Sequence, residues 1–293
     1  MSVLRLIIVL LLVPLHAMAQ ERPPIIDMHM HSYTDIFADK RFCFPQPCEG
    51  LPSEVTDPRE LRSASIAEMD EYNVVLAVVS GSRDDVLTWT EGSQERFITG
   101  IQIGRPDAIA FSDLKNLLES GRIKVLGELS VQYAGIPIDD PSLDRMLGLA
   151  HALDIPVHVH VAGLGGTDDF PIHLGNPLRV AKILRKYPGL RIYLENAGWP
   201  FLEEVTSLMY QYPSVYGDIS TILHLTPRPV AYRYLKGLID HGLGKRLMYG
   251  SDQMIWPEVI GETIEAIENA EFLSDEQKRD ILYNNAARFL RLS

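Results

Sequence analysis

From Ile25 onward the chain repeats one pattern eight times: a short apolar run, then a longer amphipathic segment. The runs are IIDMHMH (25–31), VVLAVVSG (74–81), FITGIQIG (97–104), KVLGELSV (124–131), PVHVHVAG (156–163), RIYLENAG (191–198), VYGDISTI (215–222) and RLMYGSD (246–252). Each is apolar at its centre and bounded by Gly, Pro or polar residues. Strands buried on both faces of a parallel sheet read this way. The segments between them carry helical spacing. In SLDRMLGLAHALD (142–154), Leu143, Met146, Leu147, Leu149, Ala150 and Leu153 share one face. In NPLRVAKILRKYP (176–188), Asn176 can cap, Pro177 takes the first helical position, and Lys and Arg fill the last turns. FLEEVTSLMYQYP (201–213) and VIGETIEAIENA (259–270) behave likewise. Ser274 to Gln277 reads as a capping box that opens a last helix through Leu290. This alternation predicts a parallel α/β fold. A (β/α)8 TIM barrel and an open doubly wound sheet share the pattern. The count of eight, and the polar residues at the run ends, favour the barrel.

Residues 1–19 stand outside the repeat. Arg5 supplies a positive start, Leu6 to Leu15 an apolar run, and Ala17-Met18-Ala19 a small-x-small cleavage site. The run is shorter than the roughly 20 residues that span a bilayer. The expectation is a signal peptide over 1–19, no membrane span after cleavage, and a periplasmic or secreted product. Residues 20–293 then suit a single barrel, which averages about 250 residues. The longest connection, Ser32 to Asp57, follows the first run and is read as a lid. It carries Cys43 and Cys48, and export favours a disulfide between them. The net charge of -12 repels phosphate backbones and excludes nucleic acid as a partner, leaving a small molecule. The oligomeric state is not written in the sequence; a homodimer is compatible with it.

The chemistry-bearing residues gather at the run ends. In Asp27-Met28-His29-Met30-His31, alternation puts Asp27, His29 and His31 on one strand face. Two imidazoles at i and i+2 can bind one metal ion; solvated histidines at a strand end are the bland alternative. His158 and His160 also share a face, and His160 lies nearer the C-terminal end, where barrel sites sit. His160 is therefore preferred as ligand, with His158 behind it or in the core. Asp252 ends the eighth run and can ligate a metal and take a proton from water, or simply cap a helix. Glu128 lies in an apolar strand, so it must be paired, liganded or protonated. It could bridge metals, act as acid–base, or form a salt bridge with Arg105.

Asp27-x-His29-x-His31, the PVxxH stretch ending at His160 and the final Gly250-Ser251-Asp252 together resemble the amidohydrolase superfamily. More narrowly, the chain resembles the amidohydrolase-2 group of metal-dependent TIM-barrel hydrolases, from about Ile25 to Leu292. AGWPFLEE (197–204), YPSVYGDIS (212–220) and ILYNNAARFL (281–290) extend the likeness. The resemblance implies a divalent ion, usually zinc, on His29, His31, His160 and Asp252, with Asp252 also the proton acceptor. It departs at the sixth strand, where Asn196 takes the place of the family's usual His. Asn transfers no proton, but it can donate a hydrogen bond to a substrate oxygen. Glu195 or Glu128 could supply a missing ligand. Arg105, Tyr133, Glu195, His173 and His224 are further candidates for substrate contact.

The expected activity is hydrolysis of an amide, ester or lactone of a small molecule. A non-oxidative decarboxylase of a small carboxylic acid is the alternative. An exported binding protein without turnover is a third reading.

Overall fold

The computed structural model describes residues 22–33, 55, 57–163, 165 and 170–292. The proposed signal peptide, Cys43, Cys48 and most of the Ser32–Asp57 connection lie outside the described residues. Eight strands follow one another around a single parallel sheet: β1 (Ile25–His31), β2 (Val74–Ser80), β3 (Phe97–Ile103), β4 (Val125–Leu129), β5 (Val157–Val159), β6 (Ile192–Leu194), β7 (Val215–Ile219) and β8 (Leu247–Tyr249). Each falls inside one of the eight apolar runs. Sequential order with all-parallel pairing is the arrangement of a (β/α)8 barrel, not of a doubly wound sheet, whose strand order reverses.

Helices connect the strands: α1 (Pro58–Glu71), α2 (Arg83–Trp89), α3 (Phe111–Glu119), α4 (Asp144–Ala152), α5 (Val180–Lys186), α6 (Leu202–Gln211), α7 (Ile222–Leu225), α8 (Arg228–Asp240), α9 (Val259–Glu268), α10 (Asp275–Arg279) and α11 (Asn285–Leu290). Side-chain caps open some of them and the turn Pro177–Arg179 that leads into α5. Asp57 accepts the N–H groups of Arg59 and Glu60, and Asn176 accepts that of Leu178. Ser274 and Gln277 form the reciprocal capping box. The last helix runs through Leu290 as expected, with a wider π turn over Asp280–Asn284 inside it. Around that turn Lys245 binds Asp280, and the Asn285 amide donates to the carbonyls of Gly244 and Leu247. The C-terminal segment is thereby stitched to the start of β8. Among the described residues, no helix is long and apolar enough to cross a membrane.

The barrel has an apolar floor. Ile26, Met28, Val78, Val125, Tyr193 and Met248 pack there against Ala286 and Phe289 of α11. Toward the C-terminal ends of the strands the buried residues turn polar. Gly250 makes this transition fit. A Cβ at that position would lie 2.8 Å from the Cβ of His29 and 3.3 Å from that of Asp218. Only a bare backbone lets the chain pass both side chains. The seam between β8 and β1 is bridged at the same level, where Asp252 N–H donates to the His29 carbonyl at 2.7 Å.

Candidate metal centre

His29 and His31 point the Nε2 atoms of their rings at each other, 3.1 Å apart. Asp252 Oδ1 lies 3.0 Å from His31 Nε2 and 3.6 Å from His29 Nε2. All three side chains are buried. Nitrogen and oxygen ligands at about 2.0–2.2 Å from a tetrahedral ion stand roughly 3.3–3.6 Å apart, close to this triangle. Asp252 Oδ2 is occupied by the Thr221 hydroxyl, whereas Oδ1 faces the two imidazoles. A buried carboxylate oxygen facing two imidazole nitrogens is the donor set a divalent cation takes.

The backbone sets these three groups. Gln253 acts as a surrogate peptide: its Oε1 accepts His31 N–H at 2.9 Å, and its Nε2 donates to the His31 carbonyl at 2.7 Å. Asp252 adopts φ 49°, a left-handed conformation that Asp tolerates better than most residues. The next helix, α9, begins only at Val259, so Asp252 is not a helix cap. Asp27 does not join the imidazoles as strand alternation predicts. A register shift in β1 falls between Asp27 and Met30, breaking the period of two. The Asp27 carboxylate instead accepts the N–H groups of His29 and Ser251, at 2.9 and 3.0 Å.

Behind the triangle lies Asp218 on β7. Its Oδ2 is 3.6 Å from His29 Nδ1 and 3.3 Å from His158 Nε2. His158 stacks on Tyr193, with ring centroids 4.2 Å apart. A carboxylate behind a ligating imidazole fixes the tautomer that presents Nε2 forward. Replacing Asp218 with Asn is expected to weaken zinc affinity about 10- to 100-fold with the fold retained. Competition with a chelating dye measures this; unchanged affinity would remove Asp218 from the centre.

A second cluster borders the first. His160 Nδ1 contacts Glu128 Oε1 at 3.0 Å and also Glu195 Oε2. Glu128 Oε2 lies 3.8 Å from His31 Nε2, so the two clusters are contiguous. His160 thus stands beside the His29–His31–Asp252 triangle, held by two carboxylates. Gln102 donates to Glu128 at 3.1 Å. The Asn196 amide serves the protein: Nδ2 donates to Glu195 at 3.1 Å, and Oδ1 accepts from Ser220 Oγ and Ile222 N–H. Asn196 orients Glu195 and ties β6 to β7, in place of the substrate contact expected of it. The salt bridge between Glu128 and Arg105 is not formed. Arg105 projects into solvent at the end of β3 and pairs with Asp107 at 3.3 Å.

Of the remaining candidates, Tyr133 lies at the mouth, its ring 5.1 Å from that of His160 and 4.8 Å from Phe170. His173 is exposed on the turn Ile172–Gly175. His224 belongs to α7, one turn from Thr221. Tyr33, which sequence reasoning passed over, stacks on His31 with centroids 4.4 Å apart. A groove of about 610 Å³, lined by Leu76, Phe97, Ile98 and Leu290 among others, lies at the opposite end of the strands and contains none of these groups.

The pocket is strongly acidic. Asp27, Glu128, Glu195, Asp218 and Asp252 are buried, and no Lys or Arg is buried among the described residues. Burial pushes Glu195 up to about 8, with the Glu128 charge adding to it. Burial alone dominates at Asp27, raised to about 7. At His29, burial pulls the ring down, but Asp252 and Asp218 outweigh it and hold the imidazole well above its ordinary value. Burial is outweighed in the same way at His160, where Glu195 and Glu128 prevail. Burial opposes ionisation of Glu128, Asp218 and Asp252, yet the surrounding imidazoles hold all three below the usual carboxylate range.

A pH dependence follows. Raised acids keep protons that the unfolded chain releases, so stability falls between the ordinary carboxylate range and about pH 7 to 8. Raised histidines contribute fully below about pH 6.5, and that contribution is lost above it. The depressed acids contribute above the ordinary carboxylate range, and that is lost on acidification. The metal-free protein is therefore expected to be most stable near pH 5 to 6.5, roughly, and to melt earlier toward pH 8.5. A divalent ion bound in place of these protons should raise Tm more at the alkaline end. Melting curves with chelator and with zinc measure both effects; a metal-free Tm that does not fall toward alkaline pH contradicts this electrostatic picture.

The amidohydrolase family model matches residues 26–292. The chain belongs to the amidohydrolase family. Among solved structures, it is similar to an uncharacterized TIM-barrel protein from Bordetella bronchiseptica, with TM-score 0.73 and 18% identity, over 92% of this chain and 99% of that one. It is also similar to a probable 2-pyrone-4,6-dicarboxylic acid hydrolase from Acinetobacter baumannii, with TM-score 0.65 and 15% identity, over 92% and 100% of the two chains. A 2,6-dihydroxybenzoate decarboxylase aligns with TM-score 0.62 and 15% identity, over 92% and 99%. At these identities the structures establish the shared barrel. The curated relatives match at 22% and 26% identity, and the chain spans 20% and 25% of their length. The family typically uses a divalent metal, and the donor clusters here can hold one.

Proposed function

We propose that this amidohydrolase-family chain is a metal-dependent hydrolase that opens an amide, ester or lactone bond of a small molecule. The observation that carries the proposal is the buried triangle of His29 Nε2, His31 Nε2 and Asp252 Oδ1. These three residues would hold the ion, zinc by the chemistry of its nitrogen and oxygen donors, with His160 alongside. When bound, such an ion polarises a carbonyl and acidifies water. Asp252 Oδ1 takes the proton of the attacking water, while the Thr221 hydrogen bond fixes Oδ2 and aims the carboxylate. Asp218 holds His29 in place from behind. The His160–Glu128–Glu195 cluster stores a proton beside the triangle and delivers it to the leaving group. Tyr133 and Tyr33 wall the mouth.

That same cluster favours a second reading, non-oxidative decarboxylation. Such a lyase needs a proton donor at the reacting carbon, and Glu195 or Glu128 could serve where Asn196 cannot. The test is a panel of lactones, esters, amides and small carboxylic acids offered to zinc-loaded protein. Hydrolysis products without carbon dioxide support the hydrolase. Carbon dioxide release replaces it with the lyase, and tight ligand retention without product replaces both with a binding protein. Export is part of the proposal. The mass of the protein secreted by its host should lack residues 1–19; an intact N-terminus in the mature protein would refute cleavage.

A further inference from the structure

We propose that His224 and Arg228, on the connection from β7 into α8, form a subsite for a carboxylate group carried by the substrate. The connection hangs on the metal centre. Thr221, the residue before α7, donates to Asp252 Oδ2, and His224 follows one turn later. Arg228 opens α8 four residues beyond. Among the described residues, both ring nitrogens of His224 are buried without a hydrogen-bond partner, and so is Nη1 of Arg228.

Two unmade sets of polar bonds on one short connection are unusual, because buried polar atoms are nearly always paired. The chain also has 39 acidic side chains to 27 basic ones, yet among the described residues Arg228 has no carboxylate within ion-pair distance. Its guanidinium instead lies 5.8 Å from the centroid of the Tyr232 ring. The charges of Asp252 and Arg228 both act on the His224 ring, so it lies within electrostatic reach of the donor triangle and of the guanidinium. Burial keeps its ring uncharged, so it offers one N–H donor and one acceptor. An arginine fork with a neighbouring neutral N–H donor is the chemistry that takes a carboxylate. Glu128, Asp218 and Asp252, held ionised in the pocket, also favour a cation that meets an anionic substrate's charge away from the reacting bond.

The inference rests on the pocket being the reacting centre, but its test is binding without turnover. Calorimetry would compare diacids, from malonate through glutarate to isophthalate and terephthalate, each against the matching monoacid. The full chain would be titrated both zinc-loaded and metal-free, with zinc content measured in the same samples. At least one diacid should bind tenfold or more tighter than its monoacid. Arg228→Gln should abolish that advantage with monoacid affinity and zinc content unchanged, and Arg228→Lys should restore part of it. His224→Phe should weaken the same diacid several-fold. No diacid advantage in the wild type, or an advantage that survives Arg228→Gln, overturns the subsite. Absent zinc in the wild type would instead count against the metal reading, and the metal-free titrations would still decide the subsite.

Discussion

Asp252→Asn is expected to lower kcat/KM by roughly 10³-fold or more on any substrate the wild type turns over. General-base removal alone costs about 10²- to 10⁴-fold, and this carboxylate also contributes a donor to the triangle. The substitution is well chosen for its position. Asn accepts the Thr221 hydroxyl as Asp does, and it tolerates the φ of 49° found there. The backbone N–H that bridges to the His29 carbonyl is unchanged. The fold should therefore survive, with a melting curve close to that of the chelated wild type. Rates near wild type in a folded Asp252→Asn protein would remove Asp252 from the chemistry.

The second large effect is on stability. Glu128, Asp218 and Asp252 are held ionised in the pocket with no buried Lys or Arg among the described residues, so a bound cation offsets charge there. A ligand present at about 1,000 times its Kd stabilises by roughly 4 kcal/mol. In a domain of this size each kcal/mol moves Tm by about 2–4 °C. Chelation is thus expected to lower the wild-type Tm by about 10 °C, and added zinc to restore it. His31→Ala removes the nitrogen that faces both His29 Nε2 and Asp252 Oδ1. That variant should melt near the chelated wild type and should not respond to zinc. A wild-type Tm indifferent to chelator, or a full zinc response in His31→Ala, would contradict the assigned donors.

The barrel was legible because its strands are buried on both faces. Eight apolar runs therefore stood out, and every strand lies inside one. Their ends were less legible: β5, β6 and β8 span three residues each, and His160, Glu195, Asn196 and Asp252 sit just beyond them. The His29–His31 pair was visible from its spacing, but the register shift that excludes Asp27 carries no sequence mark. Asp218 was overlooked although it is a lone carboxylate in an apolar run, the same signal that drew attention to Glu128. Gln253 had no such signal, because an amide pairing with a neighbouring strand's backbone looks like any loop glutamine. The sharing of His160 between Glu128 and Glu195 depends on distances across β4, β5 and β6 that spacing along one chain does not encode. Arg105 and Asn196 show the converse, since correct placement at a strand end does not say where a side chain turns. Arg105 turns to solvent, and Asn196 turns inward to the protein's own groups.

The central claim is that His29, His31 and Asp252 hold a divalent ion. Elemental analysis of the full chain, purified in added zinc without refolding and then desalted, addresses it most directly. The donor geometry predicts about one equivalent or more of divalent metal per chain. Less than about a tenth of an equivalent of any divalent metal would contradict it.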